Sequence, residues 1–292
     1  MLPLGASLQN YWKLTKPRIW ILLVFTGIVA MVVAYRQTPN PTFSSGLALV
    51  TVSALILGSA SADVLTNYND RDIDGIMKRT RKRAIPSGAI KPRNALVFGL
   101  TMAVLSVLLP LFLVNVWAAS FMLVGLVDNV VVYSVLLKRK SWTNIVLGGI
   151  SGGMPVLVGY SAVAATVTPI ALYMSALVIV WIPTHVWSLA VFSKDDYAAA
   201  NVPMLPVVFG ERVAAVCIAG TSALLTIFSL VLILFSPSIF YAASAMVLGA
   251  VILAYSAKLA IDKKRETAWT LFKLTSPYLA VIFLLLGLTV WF

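Results

Sequence analysis

Acidic and amide side chains recur at helical spacing around the segment TNYNDRDIDGIMKRTRKRAIPSG, which covers residues 66–88. Four of them lie at i, i+4, i+7 and i+11, the spacing of a single helical face: Asp63, Asn67, Asp70 and Asp74. Carboxylates this close repel one another unless a cation lies among them. Their hard oxygens suit Mg²⁺, which takes one or two carboxylates and completes its shell with water and phosphate oxygens. The spacing favours such a metal site over the alternative, a solvated acidic helix end.

A basic run follows this acidic stripe directly. It contains Lys78, Arg79, Arg81, Lys82 and Arg83. One interpretation is an anchor beside anionic lipid headgroups. The other is a clamp on phosphate oxygens, which arginine binds in a bidentate manner. The position directly after an acidic stripe favours the clamp for some of these side chains.

A second polar cluster lies in WIPTHVWSLAVFSKDDYAAANVPMLP, residues 181–206. His185 and Asp196 are eleven residues apart, which places them on one face of a continuous helix. Asp195 is turned by about 100° from Asp196 on such a helix. The cluster therefore predicts a second acidic helix end.

The elements that carry these clusters are membrane helices. Of the 292 residues, 60% are hydrophobic and 11% are charged, and the mean hydropathy is +0.96, whereas a soluble domain has about 25% charged residues. A single cysteine and a single histidine exclude internal disulfides and multi-cysteine or histidine-rich metal clusters. The apolar runs predict nine transmembrane helices, at about residues 19–35, 43–66, 94–114, 116–137, 144–162, 169–192, 212–235, 238–259 and 272–292.

The positive charges predict how these helices are oriented. Of the 22 Lys and Arg residues, only Arg36 falls in an odd-numbered loop; the others lie near the N-terminus or in even-numbered loops. The positive-inside rule then predicts a multi-pass protein of the cell membrane, with its N-terminus in the cytoplasm and its C-terminus outside. The net charge of +12 is thus explained by the membrane, and no nucleic acid partner is expected. The acidic residues lie at the same end except Asp128, in mid-span, for which the sequence indicates no role.

The two polar clusters are four helices apart and open on the same side. This arrangement suggests one domain, residues 1–292, built as a pseudo-repeat of helices 1–4 (about 11–140) and 5–8 (about 141–260) plus a ninth helix (270–292). Facing one another, the clusters would line a central cavity that opens to the cytoplasmic side.

The segment TNYNDRDID resembles the first aspartate-rich motif of the UbiA superfamily of intramembrane prenyltransferases, N-D-x-x-D-x-x-x-D. Asp70 and Asp74 match its second and third acids. Asn67 stands where the first acid is usual and Thr66 where Asn is usual, so Asn67 is the expected substitute ligand. Four stretches resemble the members that farnesylate heme: YWKLTKPRIWILLVFTG, DRDIDGIMKRTRKR, YSVLLKRKSWTNIVLGGISGGMPVLVGY and HVWSLAVFSKDDYAAANVPMLPVV.

This resemblance implies an all-α, UbiA-like bundle that transfers a farnesyl group from farnesyl diphosphate to a vinyl group of protoheme IX (heme B), giving heme O. It implies Mg²⁺ as cofactor, the lipid bilayer as surroundings and downstream heme-handling membrane proteins as partners. The implied metal ligands are Asn67, Asp70, Asp74, Asp195 and Asp196, and the four aspartates among them are also the implied catalytic residues. The implied diphosphate donors are Arg79, Arg83 and Lys194, with Lys138 and Arg139 from the loop between helices 4 and 5.

The acceptor side is less constrained by the residues. Trp187, Tyr133 and Tyr197 are candidates to stabilise an allyl cation, with core packing or an interfacial belt as the alternative. His185 is a candidate heme contact, and a hydrogen bond to a neighbouring helix is the alternative. In the glycine-rich stretch NIVLGGISGGMPVLVG, we expect close helix packing for most glycines and a polar role for Asn144.

Two other functions remain open at this point. The same acids would serve a UbiA-type prenyltransferase acting on a quinone precursor or an ether lipid, although HVWSLAVFSKDDY argues against this acceptor. A secondary transporter would carry its acids through the helix centres, whereas only Asp128 is central here.

Overall fold

The computed structural model describes residues 4–235 and 237–291, and within these residues every regular element is a helix. Nine of the described helical segments are long and apolar enough to cross a membrane, as predicted. They are α2 (Pro17–Gln37), α3 (Ser45–Asn69), α5 (Pro92–Leu113), α6 (Val116–Leu126) with the π-helical turns that follow it (Val127–Leu137), α7 (Asn144–Gly148) with α8 (Ile150–Ala164), α9 (Pro169–Phe192), α12 (Gly210–Val231) with one 3₁₀ turn (Leu232–Leu234), α13 (Ile239–Asp262) and α14 (Arg265–Thr289).

These segments form a closed ring. Each one packs against the next in chain order, and α14 packs back against α2. The most extensive further contacts cross the ring between α2 and α8 and between α9 and α14, and α3 also contacts α6, its π-helical turns and α8. The faces of α2, α3, α6, α8, α9 and α14 that point into the ring line its interior.

Glycines permit the contact between α2 and α8. A Cβ atom on Gly159 would lie 2.0 Å from the carbonyl oxygen of Gly27, and a Cβ on Gly27 would lie 2.8 Å from that of Pro155. Because both obstacles are backbone atoms, neither position accepts a larger residue without moving a helix. The expected packing role of the glycine-rich stretch is confirmed here.

The two ends of the ring differ. At one end, which we call the charged end, lie α1 (Leu4–Leu14), α4 (Arg71–Ile76), α10 (Lys194–Ala199) and α11 (Leu205–Val208). At the opposite end the loops are short, and the side chains of Ser44, Asn115 and Ser238 cap the helices that follow them. The loops that the sequence predicts to be charged are thus the ones that contain the additional short helices.

The two polar clusters do not lie on continuous helices. The helix α3 ends at Asn69, Asp70 adopts φ −88° and ψ 0°, and Asp74 lies on the separate helix α4. Likewise α9 ends at Phe192, and Asp196 lies on α10. The single-face arrangements expected from spacing therefore do not extend across these breaks. The ninth span also begins earlier than expected, at Arg265 rather than residue 272.

Candidate functional site

A cavity of about 360 Å³ lies inside the ring. Its walls are mostly apolar and come from α2, α3, α6 with its π-helical turns, α7, α8, α9 and α14. Polar groups are few on its lining: Ser59, Asp63, Asn129, Tyr133, Ser151 and His185. Such a lining suits an apolar ligand held by a small number of polar contacts.

His185 is held by an aromatic stack on the cavity wall. Its ring lies between Trp181 and Phe272, with ring centroids 4.5 and 4.3 Å away. Its Nδ1 is 2.7 Å from the hydroxyl of Thr275, which itself donates to the backbone oxygen of Phe272. In the tautomer that leaves the Thr275 hydroxyl proton on Phe272, Nδ1 donates to Thr275 and Nε2 is the acceptor nitrogen, and the other tautomer reverses these roles. The hydrogen bond to a neighbouring helix is therefore present. His185 also lines the cavity, and its contact with heme stays a prediction.

Asp128 has a structural partner in the middle of the membrane. Its carboxylate accepts a hydrogen bond of 2.7 Å from the backbone N–H of Ser151, in the first turn of α8. This N–H has no intrahelical partner because the fifth span breaks at Gly149. Asp128 therefore caps a broken helix that lines the cavity, and the adjacent Asn129 bonds the Ser151 hydroxyl at 3.4 Å.

The first acidic motif is organised by one arginine. Arg83 donates through Nη1 to both carboxylate oxygens of Asp74, at 2.9 and 2.8 Å, and to the amide oxygen of Asn67 at 3.2 Å. The amide nitrogen of Asn67 donates to the backbone oxygen of Leu14. The Asp74 side chain is only 4% exposed. The loop after α4 thus folds back, so that the side chain of Arg83 contacts Asp74 and Asn67, which precede it in the chain.

Asp70 is paired with Lys138 from the end of the fourth span. One carboxylate oxygen of Asp70, Oδ1, is buried and has no hydrogen-bond partner among the described residues. The ammonium of Lys138 also lies over the ring of Tyr133, 5.2 Å from its centroid. The amide of Asn144 donates to the Lys138 backbone oxygen at 3.4 Å, which ties this loop to α7. Lys138 therefore lies at the first motif, and its expected role as a diphosphate donor stays a prediction.

Two further carboxylates of this region have their own cations. Asp63, on the cavity wall, pairs with Lys16 at 3.1 Å. Asp72 is 61% exposed and pairs in a bidentate manner with Arg139 at 2.6 and 2.7 Å. This arginine lowers the pKa of Asp72 to about 2. Arg139 therefore lies beside the first motif but is bound to the acid that faces away from it.

Asp196, from the second motif, joins the two loops of the charged end. Its oxygens accept hydrogen bonds from the backbone N–H groups of Lys78 and Arg79, both at 3.1 Å. The guanidinium of Arg79 in turn lies 3.4 Å from the hydroxyl of buried Tyr197. The two motifs thus meet, through the carboxylate of one and the basic run of the other.

Other predicted residues of the second motif lie elsewhere. Asp195 is 75% exposed and pairs with Arg265 of α14 at 2.6 Å, which lowers the pKa of the carboxyl group. Lys194 lies 3.4 Å from Glu211. Trp187 is buried in the core, and its indole N–H has no partner among the described residues. Of the three aromatic residues predicted to face a cation, only Tyr133 is among the residues that line the cavity.

The donor set fits a hard divalent cation at Asp70 and Asp74. Within the described residues, no group of three or more His, Cys, Asp or Glu side chains is arranged to hold a metal ion. Mg²⁺ does not need such a group, because one or two carboxylates with substrate phosphate oxygens complete its shell. The unpartnered buried Oδ1 of Asp70 supplies one ligand atom of the required type.

The site contains residues that the spacing rules did not select. Lys16 and Asn129 lie far in sequence from both motifs, and Asp63 was placed on the acidic stripe but given no role. The signal available for Lys16 was its position before the first span, opposite an intramembrane acid. Asn129 gave no signal beyond its polarity within an apolar span.

Comparison with known families gives one match. Residues 23–289 match the model of the UbiA prenyltransferase family. Among curated proteins, the chain is 41% identical over 281 residues to a protoheme IX farnesyltransferase of Thermoplasma volcanium, covering 96% of this chain and 97% of that one. It is 42% identical over 295 residues to protoheme IX farnesyltransferase 2 of Cenarchaeum symbiosum, with 94% of each chain covered.

Solved structures share the fold at low sequence identity. A digeranylgeranylglyceryl phosphate synthase superposes with a TM-score of 0.77 at 18% identity, over 97% of this chain and 98% of the other. A UbiA homologue from Archaeoglobus fulgidus, bound to DMAPP and Mg²⁺, superposes with a TM-score of 0.66 at 18% identity, over 94% of this chain and 99% of the other.

Proposed function

Because the chain belongs to the UbiA prenyltransferase family, we propose that it transfers a farnesyl group from farnesyl diphosphate to a vinyl group of heme B. Water would supply the hydroxyl group of the product, heme O, and diphosphate and a proton would be released. The observation that carries this choice is the identity of about two residues in five, over nearly the whole chain, to relatives named protoheme IX farnesyltransferase. The apolar cavity beside a cluster of acids and bases supports the same reaction class, since both substrates join an apolar body to anionic groups.

The first step is cleavage of the allylic C–O bond of farnesyl diphosphate, in which negative charge develops on the leaving diphosphate. Arg83 and Lys138 are positioned beside Asp74 and Asp70, so they can neutralise that charge when diphosphate binds between them. Preorganised cations in a site that excludes water stabilise such charge more strongly than water does.

Magnesium would be held by Asp70 and Asp74, with Asn67 beside them. When bound, the ion would act as a Lewis acid on the diphosphate oxygens. Asp196 contributes by holding the backbone of Lys78 and Arg79, which fixes the start of the basic run. We retain Asp195 and Lys194 as predicted site residues that would have to leave Arg265 and Glu211 to act.

The cavity would hold the isoprenoid chain and the reacting vinyl group. Its volume, about 360 Å³, lies within the range of ligand pockets. Tyr133 offers an aromatic face near the charged end, and His185 offers a ring nitrogen and a flat aromatic stack on the part of the wall formed by α9 and α14. We assign His185 to the acceptor side for this reason.

The charged end would face the cytoplasm, where farnesyl diphosphate is soluble. All the basic residues named in the site lie at this end, as the positive-inside rule requires for cytoplasmic loops.

A reconstitution assay tests this function. Membranes containing the protein are supplied with heme B, farnesyl diphosphate and Mg²⁺, and heme O is measured; Asp70→Ala and Asp74→Ala should abolish its formation. Glu266→Ala, which removes an exposed acid on α14, is the matched control and should keep wild-type activity. Farnesylation of 4-hydroxybenzoate instead of heme would support the quinone-precursor alternative. Wild-type heme O formation by Asp70→Ala would exclude the proposed site.

His185→Ala tests the acceptor assignment separately. We expect a raised apparent KM for heme with the KM for farnesyl diphosphate unchanged. An unchanged KM for heme would remove His185 from the acceptor site.

A further inference from the structure

A second cavity lies outside the ring, between the N-terminal segment and the loop after α4. It has a volume of about 200 Å³, and four of the side chains that line it are basic: Lys13, Lys16, Lys82 and Arg83. None of the described residues that line it is acidic. We call this cavity the basic cleft.

The four positive charges of the basic cleft are not neutralised by acidic side chains that line it. Lys16 and Arg83 are paired with Asp63 and Asp74, which do not line it. Lys13 and Lys82 make no side-chain hydrogen bond or ion pair with any residue that the structure describes. Two uncompensated positive charges therefore converge on a concave surface.

The backbone on one side of the basic cleft is held in an unusual conformation. Lys16 connects α1 to α2 with φ 50° and ψ 62°, a left-handed conformation that is uncommon for residues other than Gly, Asn and Asp. Such a conformation persists where the surroundings fix it. The turn is closed by backbone bonds from Lys16 N–H to Lys13 O and from Ile19 N–H to Lys16 O, while Lys16 Nζ bonds Asp63. Both Lys13 and Lys16 line the cleft.

The position of the basic cleft connects it to the candidate site. Arg83 and Asn67 line the cleft and also belong to the cluster around Asp74. The cleft lies at the charged end, next to α1, on which Leu8 and Trp12 are exposed. An exposed Trp and Leu beside lysines are typical of a helix that lies at the membrane surface.

We propose that the basic cleft binds a phosphate-type oxyanion and that Lys13 and Lys82 are its principal determinants. Lysine and arginine donors suit several oxygens of one phosphate group, and the volume exceeds that of a monatomic ion. Two sources supply this chemistry: diphosphate released from the neighbouring site, and the headgroup of an anionic phospholipid. The proposal goes beyond prenyl transfer, because it does not depend on the acceptor.

The test measures binding of inorganic pyrophosphate to the purified protein in nanodiscs of neutral phosphatidylcholine, without divalent metal, by calorimetry. The variant Lys13→Ala/Lys82→Ala should weaken binding about tenfold, as expected for two exposed cation contacts. The control variant Lys91→Ala/Lys140→Ala removes the same charge from two exposed lysines that line neither cavity, and it should change binding less than about twofold.

A second arm identifies the source. If the site takes a headgroup, native mass spectrometry should show that phosphatidylglycerol is retained by the wild type and by Lys91→Ala/Lys140→Ala but lost from Lys13→Ala/Lys82→Ala. Selective loss in either arm supports the proposal and names the ligand. If the two double variants behave alike in both arms, the proposal is overturned. Because neither arm measures prenyl transfer, its outcome is independent of whether heme O is formed.

Discussion

The pair formed by Arg83 and Asp74 gives the sharpest test of how the site is built. Asp74 is 4% exposed and Arg83 is 29% exposed, and one guanidinium nitrogen contacts both carboxylate oxygens within 2.9 Å. Asp74→Asn retains the shape but removes the charge, and Arg83→Gln removes the opposite charge and leaves a shorter polar side chain. Asn67 remains as the only other side-chain partner of Arg83 among the described residues.

The expected coupling follows from the distance and the burial. At 2.8 Å and an effective dielectric constant of about 20, the Coulomb attraction is about 6 kcal/mol. Desolvation of the two ions offsets several kcal/mol of this, which leaves a net coupling of about 2 kcal/mol. Each single variant should therefore lose about 2 kcal/mol of unfolding free energy, and the double variant about the same rather than twice as much.

The assay is a double-mutant cycle on the protein in detergent, with unfolding followed by tryptophan fluorescence and prenyl transfer measured in parallel. The pair of Asp72 and Arg139 is the matched control, since it is also an aspartate–arginine pair, with two guanidinium nitrogens on the two carboxylate oxygens, at 61% and 38% exposure. Its coupling should be less than about 1 kcal/mol. Transfer by Asp74→Asn should fall about 100- to 1000-fold, whereas Asp72→Asn should retain it.

Two results would refute this reasoning. Additive effects of Asp74→Asn and Arg83→Gln on stability would show that the buried pair is absent. Wild-type transfer by a stable Asp74→Asn variant would show that the pair is structural and that the diphosphate binds elsewhere.

Three other predictions follow from the same structure. Asp196→Ala should reduce transfer more than Asp195→Ala, because Asp196 holds the backbone of the basic run whereas Asp195 is exposed; equal kinetics of the two variants would contradict this. The pKa of Asp72, about 2, lies below its value in the unfolded chain. The stability that ionised Asp72 adds to the folded protein is therefore complete above about pH 4 and is lost as the pH falls towards 2. The unfolding midpoints of the wild type and Asp72→Asn should differ at pH 6 and converge at pH 2. Gly159→Ala should lower the unfolding midpoint or prevent folding, because its Cβ would meet the backbone oxygen of Gly27. The control Gly220→Ala should be neutral or slightly stabilising, because a Cβ there meets no atom within 4 Å. Equal unfolding midpoints of the two variants would contradict the close approach of α2 and α8.

The membrane spans could be predicted because hydropathy acts over whole segments. Every predicted span lies within a few residues of an observed one, apart from the start of the ninth. That helix begins at Arg265, seven residues earlier than expected, because its first turns are polar and extend beyond the apolar stretch. Hydropathy detects the apolar part of a helix and not its solvated end.

The interruptions of the helices could not be predicted, because tertiary contacts determine them. The π-helical turns Val127–Leu137 pack Tyr133 against Gly148, where a Cβ would lie 2.5 Å from the tyrosine. The chain also breaks at Asp70, although the spacing of the acids fitted one continuous helix. Single-sequence periodicity carries no information about a neighbour such as Gly148, which lies fifteen residues from Tyr133 in the chain.

The residue types of the site were predictable, but their pairing was not. Charge patterning selected Asp70, Asp74 and the basic run, and the structure pairs these acids with Lys138 and Arg83. Only a fold can bring Lys138 to Asp70, since 68 residues separate them. The same limit explains why Asp195 was grouped with Asp196, although adjacent residues on a short helix contact different elements.

The most direct test of the central claim is mass spectrometry of hemes extracted from membranes of a host that lacks heme O, with and without this protein. A new heme is expected, heavier than heme B by one farnesyl group and one hydroxyl group, and it should disappear in the Asp74→Asn variant. If membranes containing the folded, inserted wild-type protein yield heme B alone in the presence of farnesyl diphosphate and Mg²⁺, the proposed function is wrong.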